Sequence, residues 1–335
     1  MAPFTTLGVG GSARLFTIVR SEAELVEALN TAATMQAEIF VLGGGSNILV
    51  SDKGFDGLVV KIDLRGITET QLNDRETIVE AKAGENWDDL VKYSVENDLA
   101  GVECLGGIPG LVGGTPIQNV GAYGQDVSET IHSVKVFDRN SNEPVEFSNA
   151  ECGFGYRKSR FNSKDKERFV FISVSFKLER NGKPKIAYKE MCDLFEGKYP
   201  TLSEVRDAII SIRRAKSMVI NPADPNSKSA GSFFKNPIVD SDKFRQLCQD
   251  FENVPSFPAS GSSVKIPAAW LIESAGFEKG SVRGRAGISS KHSLALINLG
   301  GATAADMISF MSEIQSAVMR KFGIQLEPEP IFVGF

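Results

Sequence analysis

Residues 105–124 hold seven glycines and two prolines in twenty positions. No helix or strand persists through such a stretch, because glycine makes any regular element entropically costly and proline removes a backbone donor. A connection of that length without secondary structure is uncommon inside a compact domain, and where one occurs it usually has a job. The rest of the chain therefore has to fold so as to hold this segment, whose bare backbone permits close approach of a flat, large ligand. A shorter run, Gly43, Gly44, Gly45, Ser46 and Asn47, follows an apolar stretch at 39–42 and has the same character. Successive N–H groups there can form an anion nest for a pyrophosphate, with Ser46 and Asn47 adding side-chain donors. Taken one at a time, both segments also read as plain structural loops.

Other glycine patterns fall away on context. Residues 8–13 spell G-x-G-x-x-A, but too few residues precede them for a strand, and 14–19 reads as a strand where the dinucleotide fingerprint needs a helix. Gly182-Lys183 is followed by Pro184 and Gly197-Lys198 by Tyr199, so no Walker loop is present. Cys104, Cys152, Cys192 and Cys248 lie 48, 40 and 56 residues apart, which fits no zinc or redox spacing. They read as small buried hydrophobes of a reducing compartment. Only two histidines occur, His132 and His292, with neither H-E-x-x-H nor G-x-S-x-G, so no metal and no serine-histidine relay is expected. A net charge of −5 with scattered basic residues gives no footprint for nucleic acid or an anionic membrane. No apolar run approaches the ~20 residues of a membrane span. The first basic residue is Arg14 and no apolar leader precedes it, so a cytoplasmic location is expected.

At 335 residues the chain exceeds one ordinary core and implies two or three domains. Ser21, Glu22, Ala23 and Glu24 form a capping box opening a helix with Leu25, Ala28, Leu29 and Ala32 on one face. Short apolar strands follow at 39–42, 48–50 and 58–62, closing a first unit at 1–64. A strand at 77–83, a helix at 85–98, the glycine stretch, strands at 134–137 and 169–178 and a helix at 202–216 make a second unit, 65–216. Residues 221–226 (N-P-A-D-P-N) are a turn or linker into a third unit, 217–322, with helices at 242–251, 267–275 and 303–321 and a strand at 292–298. Met307, Phe310, Ile314 and Val318 stand at helical spacing and read as core. The terminal 324–333 reads as a strand broken by two prolines, and the segment 323–335 is expected to return to the second unit.

The heptapeptide from Gly231 to Pro237, G-S-F-F-K-N-P, puts a hydroxyl, an ammonium and an amide beside two phenylalanines. Turn chemistry alone accounts for Gly231 and Ser232; a pocket wall with a few placed polar groups is the other reading. The rest of the chain bears on the choice. In order, it carries T-L-G-V-G-G-S-A, V-L-G-G-G-S-N-I-L-V-S-D, A-G-E-N-W, G-G-I-P-G-L-V-G-G-T-P-I-Q-N-V-G-A-Y-G, F-G-Y-R-K-S-R-F, S-A-G-S-F-F-K-N-P, A-A-W-L-I-E-S-A-G and L-E-P-E. Together these resemble the UDP-N-acetylenolpyruvoylglucosamine reductases, over nearly the whole chain, and the F-F-K-N-P form with Tyr188 upstream resembles their type I branch.

The resemblance implies an α+β architecture: two subdomains of the vanillyl-alcohol-oxidase-like (PCMH-type) FAD-binding class, plus an α/β substrate-binding domain. It implies non-covalent FAD, since neither histidine lies in the glycine loops. FAD would lie against Gly43, Gly44, Gly45, Ser46 and Asn47, against Ile108, Pro109, Gly114, Thr115, Asn119, Gly121 and Tyr123, and against Arg213. The implied reaction is NADPH-dependent reduction of UDP-N-acetylglucosamine-enolpyruvate to UDP-N-acetylmuramate, a peptidoglycan precursor, by a chain most simply read as a monomer. Ser232 would donate the proton: a hydroxyl is a weak acid, but the enolate is strongly basic, and a neutral donor does not repel the substrate carboxylate. Arg157 would pair with that carboxylate as a planar, permanent cation. Glu329 would donate a hydrogen bond to the developing enolate as a protonated acid. Tyr156, Tyr188, Lys216, Lys235, Asn236 and Lys279 would position substrate, Lys216 and Tyr188 at the diphosphate and uridine end.

Two departures stand out. After L-E-P-E the family continues with Val-Arg or Val-Lys, whereas Pro330-Ile331 follow here, and the 217–228 loop is longer than in close type I relatives. Two other readings stay open. A flavin oxidase of the same fold would consume oxygen without the enolpyruvyl nucleotide, and a nucleotide-sugar-binding protein without catalysis would carry no flavin colour.

Overall fold

The computed structural model describes residues 1–259 and 261–335. The chain divides into two compact units, both discontinuous in sequence. A middle unit combines Ala13–Gly44 with Asp56–Val219; a terminal unit combines Met1–Ser12, Gly45–Phe55 and Ile220–Phe335. The boundaries expected at 64 and 216 are redrawn accordingly: 1–12 and 45–55 fold with Ile220–Phe335, and residues 217–219 stay with the middle unit.

The middle unit carries two sheets. In the smaller, Phe55–Ile62 lies between Ala13–Val19 and Glu38–Leu42, parallel to the latter with Ile39 opposite Leu58 and Val41 opposite Val60. The helix Glu22–Thr34 starts where its cap predicts, with Ser21 Oγ accepting from Glu24 N at 3.1 Å. The Glu24 carboxylate reaches back one residue further than a capping box requires, to Arg20 N at 2.7 Å. The buried face is Leu25, Ala28, Leu29 and Ala32, as the 3.6 period requires.

The larger sheet runs Glu143–Ser148, Ile131–Asp138, Phe169–Arg180, Glu76–Lys82, Ile67–Gln71, with Leu99–Ala100 paired to the end of Phe169–Arg180. Phe169–Arg180 is the spine, with Val174 opposite both Val134 and Ala81. Every residue from Phe169 to Val174 is buried, the signature of a strand covered on both faces. Ile67–Gln71 was not among the expected strands. It is an edge strand, ITETQ, exposed along most of its length, so it lacks the apolar alternation that marks a strand in sequence.

In the terminal unit Ile331–Val333 pairs in parallel with Ile48–Val50. The C-terminal segment thus returns to residues 48–50 and not to the 65–216 segment. Of the strand expected over 324–333, only these three residues form one, because Pro328 and Pro330 cannot donate to a ladder. Likewise only Leu296–Asn298 of 292–298 is strand, joined to Ala286–Ile288 and Val282–Arg283. The helix Ala304–Phe322 buries the expected Met307, Phe310, Ile314 and Val318. Thr303 caps it, and Asp52 reaches the same end: Ala304 N and Ala305 N donate to its two carboxylate oxygens at 2.7 and 3.0 Å. That bond ties 45–55 to the helix, and an anion there also suits the helix dipole.

All four cysteines are free, but only Cys104 and Cys152 are buried; Cys192 and Cys248 are exposed, correcting the expectation for those two. Burial pushes the Cys104 and Cys152 thiols up to about 12. A thiol reagent at mildly alkaline pH should therefore modify Cys192 and Cys248 quickly, and the other two only after denaturation, as peptide mapping would show. Asp52→Ala should lower stability by about 1 kcal/mol in chemical denaturation, the scale of a lost helix cap. An unchanged midpoint would mean that Thr303 alone suffices.

Candidate active site

In the middle unit the glycine stretch is held by the A-G-E-N-W segment before it. Gly113 N donates to Ala83 O at 3.0 Å, Val112 N to Glu85 O at 2.9 Å, and Trp87 N to Gly110 O at 3.1 Å. The indole Nε1 of Trp87 donates to Leu105 O at 2.9 Å, and its ring packs on Phe176 with centroids 5.7 Å apart. Asp88 accepts from Gly107 N at 2.7 Å and holds Arg206 through both oxygens at 2.9 Å. A Cβ on Gly44 would stand 2.7 Å from Gly110 Cα, so the two glycine runs meet backbone to backbone. Gly43 and Gly114 face open space: a Cβ there would meet nothing within 4 Å. Ile108 and Pro109 are half-buried, and Thr115 and Gly121 are buried.

Arg157 sits in a tight turn closed by reciprocal bonds between Gly155 and Lys158, at 2.9 and 3.1 Å. Its guanidinium donates to Gly121 O at 2.7 Å and Asn119 O at 3.3 Å, and Asn119 Nδ2 donates back to Gly155 O at 3.0 Å. The turn is thereby locked onto the glycine stretch. Tyr156, next to it, is 40% exposed, with the Arg157 guanidinium 5.5 Å from its ring centre. Asn119, Tyr123 and Arg157 all have left-handed backbone, with φ of 47, 51 and 50°. Tyrosine and arginine adopt it rarely, so two bulky residues hold a strained conformation at one place.

Tyr123 joins a second cluster. Its ring meets Tyr188 edge-on at 5.3 Å, and the Lys216 ammonium lies 5.8 Å from its centre. Lys216 pairs with Glu190 at 2.9 Å. Burial lowers the Lys216 pKa, but the Glu190 bond and neighbouring phenols outweigh it, so the net shift is upward. Burial pushes the Tyr123 phenol up, against the pull of Arg213 and Lys216. Arg213 is 7% exposed and its guanidinium donates to Met218 O at 2.8 Å, while its Nε has no hydrogen-bond partner among the described residues.

In the terminal unit three distant segments are stitched together. Glu329 N donates to Phe233 O at 2.9 Å and Lys235 N to Glu327 O at 3.0 Å, around an antiparallel bridge from Phe234 to Pro328. This register puts Phe233 opposite Glu329, hence Ser232 one position away. Ile331 N donates to Asn47 O at 3.0 Å, and Asn47 Nδ2 to Glu329 O at 3.4 Å, adding the end of the shorter glycine run. Gly45, at φ 64°, is fixed there: a Cβ would fall 1.9 Å from Phe4 O. Phe233 and Phe234 are 0% and 1% exposed and pack on each other, so they are core, while Ser232 beside them is half-buried. Asn236 Oδ1 accepts from Ala268 N at 2.9 Å, which orients its amide Nδ2 for donation elsewhere. Lys235 pairs with Glu327. Ser46 is half-buried beside Asn47. Lys279 lies on an exposed turn and shares no hydrogen bond with the other candidates among the described residues. The two departures acquire structures: Ile331 opens the ladder to residue 48, and residues 220–228 are folded tightly by Ser227 Oγ to Asn221 O and by Ser290 N to Asn226 Oδ1.

Residues 223–333 match the model of the UDP-N-acetylenolpyruvoylglucosamine reductase C-terminal domain, and residues 13–146 match an FAD binding domain. A UDP-N-acetylenolpyruvoylglucosamine reductase of Thermobifida fusca is 45% identical over 100% of this chain and 96% of its own length. The chain belongs to the UDP-N-acetylenolpyruvoylglucosamine reductase family. A Streptomyces coelicolor member is 42% identical over 100% of this chain and 89% of its own length. The crystal structure of the Thermus caldophilus reductase superposes with a TM-score of 0.66 at 27% identity, covering 99% of this chain and 96% of that one. The fold is a mixed arrangement of helices and sheets that combines an FAD binding domain with the C-terminal domain of this family.

The residues present fit the family's FAD. Gly44 admits no side chain, Gly43 and Gly114 present open backbone, and the buried Arg213 keeps an unpartnered Nε. Glu190 and Glu327, the partners of Lys216 and Lys235, carry no signal in the sequence, since each is defined by a contact across many residues. Asp88 does carry one, standing in the first turn after the Asn86 cap. Gly44→Ala should purify with clearly less FAD, read as the ratio of flavin to protein absorbance, because its Cβ collides with backbone that cannot yield. Full occupancy would show that the two glycine runs can part.

Proposed function

We infer that the chain reduces the enolpyruvyl group of UDP-N-acetylglucosamine-enolpyruvate to UDP-N-acetylmuramate at the expense of NADPH, with FAD bound non-covalently. The observation that carries the residue roles is the backbone ladder setting Ser232 one position from the residue paired with Glu329. A neutral hydroxyl and a carboxyl are thereby delivered by two rigid, paired segments, which is how a reacting centre is held to the tolerance that catalysis needs.

What bound FAD supplies is transfer of hydride from NADPH to the terminal vinyl carbon. The adjacent carbon then gains electron density that spreads into the carboxylate. Arg157 binds that carboxylate with its fixed fork of N–H donors, the strained turn holding the guanidinium in one orientation. Glu329, protonated, donates a hydrogen bond to the enolate oxygen. Ser232 Oγ gives its proton to the carbon, completing saturation of the double bond, and being half-buried it can regain a proton from water. Asn236 donates through Nδ2, the only side of its amide that Ala268 leaves unused. Tyr156 stands beside Arg157 at the substrate, Lys235 and Lys279 add positive charge near the phosphates, and Tyr188 and Lys216 hold the diphosphate and uridine. Lys216 must exchange Glu190 for phosphate oxygens to do so. The substrate and NADPH are both nucleotides of the cytoplasm, where we place this chain, acting as a monomer.

Stopped-flow absorbance separates the two half-reactions. Ser232→Ala should be reduced by NADPH near the normal rate and be reoxidised by the enolpyruvyl nucleotide about 10²–10⁴-fold more slowly, the range for loss of a positioned proton donor. Equal loss in both halves would refute the donor role. NADPH consumption by the unsubstituted enzyme should start only when the nucleotide is added; rapid consumption with oxygen alone would favour an oxidase.

A further inference from the structure

Glu103 is fully buried, and the chemistry above makes no use of it. Its carboxylate accepts from N–H groups of three separate segments: Gly101 N at 2.8 Å on Oε2, and Lys185 N at 2.8 Å with Gln125 Nε2 at 3.3 Å on Oε1. Gln125 completes the knot by accepting from Cys104 N at 2.9 Å, and the Cys104 thiol donates to Lys185 O at 3.0 Å. Two of these segments run on to the aromatic pair. Two residues before Gln125 stands Tyr123; three after Lys185 stands Tyr188, the rings 5.3 Å apart. Between carboxylate and rings the segments stay in contact, since a Cβ on Gly124 would lie 3.1 Å from Ala187 Cβ.

We propose that Glu103 is a positioning residue for substrate, its buried carboxylate holding the Lys185 segment so that Tyr188 stands where it grips the nucleotide end. The proposal rests on the reading above that Tyr188 touches the substrate. An acceptor-only group is required at this point. All three contacts come from N–H donors, so an amide of the same shape turns an N–H against one of them whichever way it faces. A buried backbone donor left opposed by another donor forces the segments apart.

The test uses holoenzyme, titrated calorimetrically with UDP-N-acetylglucosamine-enolpyruvate in the absence of NADPH. Glu103→Gln should bind about tenfold more weakly, the scale of one lost buried hydrogen bond, while keeping its FAD and its rate of flavin reduction at saturating NADPH. Tyr188→Ala should also bind weakly, and the double variant no more weakly than Tyr188→Ala alone, because both act through one contact. Unchanged affinity in Glu103→Gln, with only a lower melting temperature, would reduce Glu103 to a structural group and overturn the proposal; so would effects that multiply in the double variant. Should Glu103→Gln fail to fold, Lys185→Pro deletes the N–H that Glu103 accepts, and Lys185→Ala keeps it. Weaker binding in the proline variant alone supports the proposal, and equal affinities overturn it. An unsubstituted enzyme that does not bind the nucleotide would overturn the functional reading itself, and that arm alone identifies this failure.

Discussion

The hydrogen bonds from Glu329 N to Phe233 O and from Lys235 N to Glu327 O are the constraint on which the roles proposed for Ser232 and Glu329 depend. They are backbone bonds, so they fix the register of the two segments whatever the side chains do. With Phe234 and Phe233 sunk in the core on one strand and Pro328 bridged on the other, neither segment can slide. Ser232 and Glu329 acquire their relative placement from this packing. Asn47 adds a third segment to the stitch, so the end of the shorter glycine run is set by the same hydrogen bonds.

The middle unit solves a different problem. Its glycine stretch has no side chains with which to pack itself, and its backbone is pinned from outside by Ala83, Glu85 and Trp87 at one end and by Arg157 and Asn119 further on. The left-handed Tyr123 and Arg157 show that the pins overrule local preference. Strain of this kind is tolerated where the surroundings over-determine the conformation, and here two guanidinium bonds and an amide bond do so. A lax loop would serve a structural connection equally well; a ligand-facing surface requires the rigid one.

What was legible in the sequence follows the range of the interactions involved. The Ser21 cap, the buried stripe of the helix Ala304–Phe322 and the spine Phe169–Arg180 are encoded within a few turns or a single strand and could be read locally. The long motif matches carried the family and its cofactor, because their order along the chain is itself information. Discontinuity of the two units was not legible. It depends on Ile48–Val50 finding Ile331–Val333 and on Asp52 finding the start of Ala304–Phe322, pairings across hundreds of residues that leave no local period. Pro328 and Pro330 concealed the strand further by breaking the one pattern available. The ion partners of Lys216 and Lys235 and the acceptor role of Glu103 were invisible for the same reason.

The chain has two tryptophans, and the fold assigns one to each unit: Trp87 beneath the glycine stretch of the middle unit, and Trp270 against Phe251 and Phe322 in the terminal unit. Each unit therefore carries its own intrinsic fluorophore in a distinct setting, one with its indole N–H bonded to a carbonyl of the glycine stretch, the other in an aromatic cluster. Removing either by substitution with phenylalanine turns the emission of the other into a private optical record of its unit. The order in which the two halves of the molecule assemble becomes observable without any added label.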